Sequence, residues 1–145
     1  MPHLSAENLW QTIRAEASEV VTTEPALASY YYASILKHDS LMEALGFMLA
    51  NKLNSSTVAA MTIRDLVETT IDANPTIYTA IVNDIHAYFE RDPACKAYAT
   101  PLLYFKGFHA LQTHRIAHQL WLQDRKFLAL YLKSAIVTTI RYPLH

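Results

Sequence analysis

Apolar residues return every three or four positions along nearly the whole of this chain, the spacing that gathers them on one face of an α-helix. Leu9, Ile13, Ala17 and Val20 form the first such stripe, and Ser5 stands where an N-cap belongs. A second segment opens at Pro25, a proline at a first helical position, and continues through Leu27, Tyr31 and Ile35. Ser40 and Glu43 have capping-box spacing: the serine caps a backbone N–H while the glutamate reaches back. Leu41, Leu45, Met48, Leu49 and Leu53 mark the buried face that follows, and residues 54–57 (NSST) read as a loop. Thr62 is placed to cap a helix carrying Ile63, Leu66, Val67 and Ile71. Asn74 before Pro75 starts another, with Ile77, Ile81, Ile85 and Tyr88 about one turn apart. Asp92–Pro93 and Thr100–Pro101 repeat the cap-then-proline pattern, and Asp124 separates the last two helices. No Pro-, Gly- or Ser-rich linker divides the chain, and no internal repeat is visible. The pattern predicts an all-α fold, one compact multi-helix domain of about eight helices over residues 1–145.

Two stretches are more apolar than a simple bundle requires. Tyr30, Tyr31 and Tyr32 stand at successive steps of ~100° around a helix and cannot all face one core. Residues 127–132 (FLALYL) and 135–137 (AIV) are apolar nearly all round. A helix of that kind is either central to the bundle or in contact with another subunit or domain.

Composition removes several function classes. The chain has two glycines, Gly46 and Gly107, which excludes a glycine-rich phosphate loop or a dinucleotide-binding fingerprint. A formal net charge of −1 gives no electrostatic pull toward nucleic acid. The one cysteine, Cys95, cannot form an intrachain disulfide. The N-terminus lacks a secretory pattern, and Lys133 and Ser134 interrupt the longest apolar run. That run falls short of the roughly 20 residues a bilayer span needs, so a cytoplasmic protein is expected.

The histidines invite a metal reading. His114 and His118 are one helical turn apart, with His109 just upstream. Zinc sites built on such a pair carry a glutamate beside the first histidine. Here that neighbour is Arg115, whose fixed charge opposes a cation, and no Asp, Glu or Cys lies between Thr100 and Gln123. No metal is expected, and the histidines read as packing or interfacial groups. Gly107 beside Phe108 fits a close helix approach with a hydrogen-bonded His109. Cys95 reads as an inert, half-buried thiol whose pKa Lys96 lowers slightly. Glu90, Arg91 and Asp92 read as a helix end with a solvated ion pair. Asp92 keeps a second reading. A cap engages one carboxylate oxygen and leaves the other free to accept from a ligand ammonium.

Three stretches carry a family resemblance: residues 24–29 (EPALAS) with 50–53 (ANKL), residues 91–94 (RDPA), and the long run 100–121 (TPLLYFKGFHALQTHRIAHQLW). From about Trp10 to Ile140 the chain resembles the N-terminal α-helical domain of bacterial serine O-acetyltransferases, the first enzymes of cysteine biosynthesis from serine. In that family the helical domain precedes a left-handed β-helix of hexapeptide repeats, which binds acetyl-CoA and carries the histidine general base. This sequence lacks such repeats. Where the family usually enters them through an Asp-Ile-His-Pro stretch, residues 141–145 read RYPLH.

The resemblance implies one site residue and no catalytic one. Asp92 matches the family aspartate that helps hold substrate serine, and competing cysteine. Phe89 stands where a basic residue is common, His86 where glutamine is common, and His114 where tyrosine is frequent. His109 and His118 read as framework of a family packing helix. The function implied is the helical part of an enzyme that moves acetyl from acetyl-CoA to L-serine, giving oligomer contacts and a serine-binding carboxylate. The chain alone is expected to bind no acetyl-CoA or other cofactor and to be non-catalytic. Expected partners are further copies of the chain or a full-length enzyme of the family. The alternative is a free-standing helical interaction module that lost catalysis and binds a partner protein.

Overall fold

The structure, a computed structural model, describes residues 4–139. Ile140 and the departure at residues 141–145 lie outside the described residues. Among those described there are eight α-helices and no strand. Helix α1 (Ala6–Thr23) begins at Ser5, whose hydroxyl accepts from the Asn8 N–H at 3.2 Å. Its stripe of Leu9, Ile13 and Ala17 is fully buried, joined by Trp10. Pro25 opens a 3-10 turn (Pro25–Leu27) rather than an α-helix, and a single short α2 (Ala28–Tyr31) follows.

The chain then widens into a π-helical turn, Tyr32–Leu36, with Lys37 N–H bonded to the Tyr32 carbonyl at 3.0 Å. The wide turn leaves carbonyls for side chains to satisfy. Arg14 on α1 donates to Leu36 O at 2.9 Å and His38 O at 2.7 Å. The buried His38 places its Nε2 2.9 Å from Ala33 O. Of the three adjacent tyrosines, Tyr31 is buried while Tyr30 and Tyr32 remain exposed.

Helix α3 (Leu41–Leu53) is capped by Ser40, whose hydroxyl accepts from the Glu43 N–H; the Glu43 carboxylate reaches back to Asp39 N–H. All five predicted core residues on this helix are buried. It packs closely on α4 (Ala60–Asp72), and at Gly46 an added Cβ would stand 3.1 Å from Glu68 Cγ. Thr62 is not the cap expected. Helix α4 starts after Ala59, which has no side-chain acceptor, and Thr62 lies within its first turn. The Ser55 hydroxyl instead turns the loop by accepting from Thr57 and Val58 N–H, and burial of Ile63, Val67 and Ile71 sets the helix start.

Helix α5 (Pro75–Arg91) has its proline at the first position, as predicted. Asn74 does not cap it; the side chain donates to Thr70 O at 2.7 Å and closes α4. Helix α6 (Ala99–Tyr104) is short, and Thr100 lies inside it rather than capping it. Helices α7 (Lys106–Leu122) and α8 (Lys126–Thr139) form the other close pair. Asp124 separates them at φ 61°, with its N–H on Trp121 O and the Arg125 N–H on Leu120 O at 2.8 Å. That is a Schellman closure with aspartate in the left-handed position.

The apolar run on α8 does not make a central helix. Ala129, Leu132, Ala135 and Ile136 are buried, on the side that packs against α7 and α3. Phe127 is 90% exposed, Val137 70% and Leu130 52%. Among the described residues nothing lies beyond that outer face, so its apolar side chains meet solvent. No helix among the described residues is long and apolar enough to cross a membrane.

Candidate functional site

Asp92 sits where α5 must stop. Proline at position 93 has no N–H and pushes its predecessor out of helical backbone, so Asp92 takes φ −97°, ψ 113°. No helix starts at Pro93, which corrects the cap reading. Asp92 instead heads a turn. Its Oδ1 accepts from the Ala94 N–H at 2.9 Å, and its carbonyl accepts from the Cys95 N–H at 2.9 Å. Aspartate first and proline second is the composition such a turn favours. The two motifs share side-chain chemistry, which is why the sequence did not separate them.

The second carboxylate oxygen, Oδ2, accepts no hydrogen bond among the described residues. Asp92 is half-buried beside an open cleft of about 410 Å³ lined by Ala87, Tyr88, Arg91 and Pro93. An oxygen held in place by its partner oxygen's backbone bond, yet free itself, suits an N–H or ammonium donor.

The connection from Asp92 to α6 is pinned by side chains from three places. Cys95 is buried and its Sγ donates to Ala97 O at 3.3 Å. Burial pushes this thiol's pKa up, against the lowering expected from Lys96, and the thiol is more deeply buried than predicted. The Tyr98 ring stacks on Phe89 with centroids 3.9 Å apart and planes at 11°, and meets His86 edge-on at 5.6 Å. His86 is itself buried, with Nε2 3.2 Å from Leu4 O. Phe89 and His86 of α5 therefore both serve this packing. Glu16, from α1, accepts from the Tyr98 N–H through Oε2 and from the Ala99 N–H through Oε1, each at 2.9 Å. Burial raises its pKa, and the two N–H donors offset part of that rise.

Sequence reasoning missed Glu16. A signal was present: Leu9, Ile13, Glu16 and Val20 share one helix face, so an acid interrupts an apolar stripe. A charge there needs a partner.

The histidines divide. His109 is buried, its Nε2 2.6 Å from Leu102 O on α6, and burial lowers its pKa. The N–H thus donates to a carbonyl, and the ring is a framework group as expected. His114 and His118 are exposed, so His118 is not framework. Arg115 between them binds Asp84 of α5 at 3.0 Å, and Gln112 donates to the same carboxylate at 2.8 Å. Among the described residues no three His, Cys, Asp or Glu side chains are grouped to hold a metal ion. A smaller, mostly apolar depression of about 300 Å³ lies between Ser40, Met42, Ile71, Asp72, Pro75 and Tyr78; Asp72 is its one charged group.

Against known proteins, the family model described as "Serine acetyltransferase, N-terminal" matches residues 9–113. The serine acetyltransferase of Escherichia coli K12 is 47% identical over 139 residues, which cover 96% of this chain and 51% of that enzyme. The crystal structure of the Vibrio cholerae serine acetyltransferase superposes with a TM-score of 0.90 at 48% identity, covering 94% of this chain and 53% of the other. A soybean serine acetyltransferase complexed with serine superposes with a TM-score of 0.87 at 47% identity, over 91% and 54%. The chain spans about half the length of the curated relatives it matches.

Proposed function

This chain belongs to the serine acetyltransferase N-terminal family, and from that premise we propose that it is the helical part of an acetyl-CoA:L-serine acetyltransferase in cysteine biosynthesis. In that role it supplies subunit contacts and one serine-binding carboxylate, Asp92. Acetyl-CoA and the general base belong to the half of the relatives that this chain does not span. The observation that carries the reading is the Asp92 turn. One oxygen is tied to Ala94 N–H, and the other is free beside an open cleft. That geometry would accept from the serine ammonium.

The test joins this chain to the remaining half of the E. coli enzyme and compares Asp92→Asn with the parent. Asparagine keeps the turn bond to Ala94, since its carbonyl accepts as the carboxylate does. It removes the charge facing an ammonium. Loss of one charge-assisted bond of roughly 1.5–3 kcal/mol raises KM for serine about tenfold to a hundredfold, with KM for acetyl-CoA nearly unchanged. Serine kinetics that ignore the substitution would leave Asp92 as a turn residue only.

A second reading has one observation in its favour. The outer face of α8 presents Phe127, Leu130 and Val137 to solvent. An apolar strip of that kind suits contact with another subunit or a partner protein, as a free-standing interaction module would need. Association of the isolated chain, measured by sedimentation velocity and lost on Phe127→Glu, supports contact through this face; a monomer at all concentrations argues against a self-contact.

A further inference from the structure

Asp92 is presented by a connection, residues 92–98, that contains no helix of its own. Its near end is set by α5 and by the Ala94 bond to Oδ1. Its far end is gripped by one side chain. The Glu16 carboxylate takes two consecutive backbone donors, Tyr98 and Ala99 N–H, one on each oxygen. At that far end the Tyr98 ring is also stacked on Phe89 of α5, one turn before Asp92. The fork from α1 thus holds the backbone of the residue whose ring stacks on Phe89, in the last turn of α5 before Asp92.

We infer that Glu16 is a positioning residue for Asp92: by holding the Tyr98–Ala99 backbone, it sets how the Asp92 turn faces its cleft. The inference rests on the reading of Asp92 as a serine-binding group. Tyr31 on α2 and Cys95 in the connection both feel the Glu16 charge, while the groups that act on Glu16 itself are its two backbone donors, Tyr98 and Ala99. Those backbone donors, each at 2.9 Å, are what offset the burial of the carboxylate. Protonation would leave one good acceptor for two donors, which makes the grip readable by pH.

The first arm uses the chain as it stands. Amide resonances of Ala94, Tyr98 and Ala99 are followed against pH in the parent and in Asp92→Asn, which takes the Asp92 carboxylate out of the comparison. All three amides are expected to shift with one shared midpoint above the ordinary glutamate value, and Glu16→Gln abolishes that shared step. An Ala94 amide indifferent to the Glu16 midpoint overturns the inference, and this arm needs no folded Glu16 variant to do so.

The second arm measures serine kinetics in the chain joined to the remaining half of the E. coli enzyme. Glu16→Gln is expected to raise KM for serine about fivefold, less than Asp92→Asn does, with KM for acetyl-CoA unchanged. An Asp92→Asn effect with none from Glu16→Gln overturns the positioning role. No effect from either substitution overturns the serine reading itself.

Discussion

The hydroxyls of Tyr31 and Tyr104 stand 2.8 Å apart, although 73 residues separate them in the chain. They tie α2, a helix of four residues with little persistence of its own, to the C-terminal end of α6. Tyr30 adds to the same junction, its hydroxyl donating to Leu103 O at 3.4 Å. Desolvation, together with the Tyr104 hydroxyl, holds the Tyr31 phenol well above its usual range, so it stays protonated.

Replacing Tyr31 by phenylalanine keeps the ring and deletes that bond. Tyr104 is partly exposed and can turn to water, so no orphaned buried hydroxyl remains. The expected loss is about 1 kcal/mol of folding stability. Urea unfolding followed by circular dichroism measures it, with an unchanged slope showing that the fold is retained.

Stability should fall as the solution is acidified from neutrality through the histidine range. Burial lowers the pKa of His109 and of His38, so both are neutral when folded and take up protons more readily when unfolded. The unfolded chain therefore binds more protons between the lowered folded values and the ordinary value of 6.5. Their contribution is complete above 6.5 and is lost as pH falls toward the folded values. Glu16 has the opposite sign, because its pKa is raised: its contribution is complete below the glutamate value of 4.5 and is lost as pH rises through its folded value. Thermal melts between about pH 7 and pH 5.5 follow the slope, and the histidine share of it is the part that substitution removes. His109→Gln should flatten that slope whatever it does to absolute stability.

Asp124→Gly should stabilise the chain. The aspartate holds a left-handed backbone at φ 61°, which costs a residue with a Cβ what glycine avoids. Its side chain is 91% exposed, and its contact with Lys126 is 3.9 Å, so little is lost with it. A gain of about 1 kcal/mol is expected, read as a higher melting temperature. A decrease would mean that the Lys126 pair outweighs the backbone strain.

Zinc or nickel should not bind the described histidines tightly. His114 and His118 flank Arg115, and no third ligand is grouped with them. Calorimetric titration should give no submicromolar stoichiometric uptake. Uptake abolished by His118→Ala would overturn this expectation.

The legible parts of the fold were those written in local chemistry. The buried stripes of α1 and α3, the Ser5 and Ser40 caps, and Pro75 at the head of α5 depend on neighbours within one or two turns. The illegible parts depend on what arrives from elsewhere. Thr62 had the better capping side chain, yet α4 starts at Ala60 because its apolar face packs on α3. The α8 run looked central, but nothing among the described residues covers Phe127. Asp92 stands out in the sequence because it precedes a proline, although the backbone role it takes is a turn rather than the expected cap. Glu16 does not, because its two partners lie 82 and 83 residues away.

The wide turn at Tyr32–Leu36 records, in the backbone, one residue more than an α-helix would hold between the same two ends. Such a turn is a reservoir of length. A single-residue deletion within 32–36 can be absorbed by collapsing it to an ordinary helical turn, leaving the helices on either side in register. The same deletion within α3 would rotate the residues that follow it in that helix by ~100° relative to the core and carry leucines toward water. Length variation in this half of the chain is therefore expected at this turn, and Arg14, which binds Leu36 O at its end and His38 O just beyond, is the side chain that would have to find new acceptors.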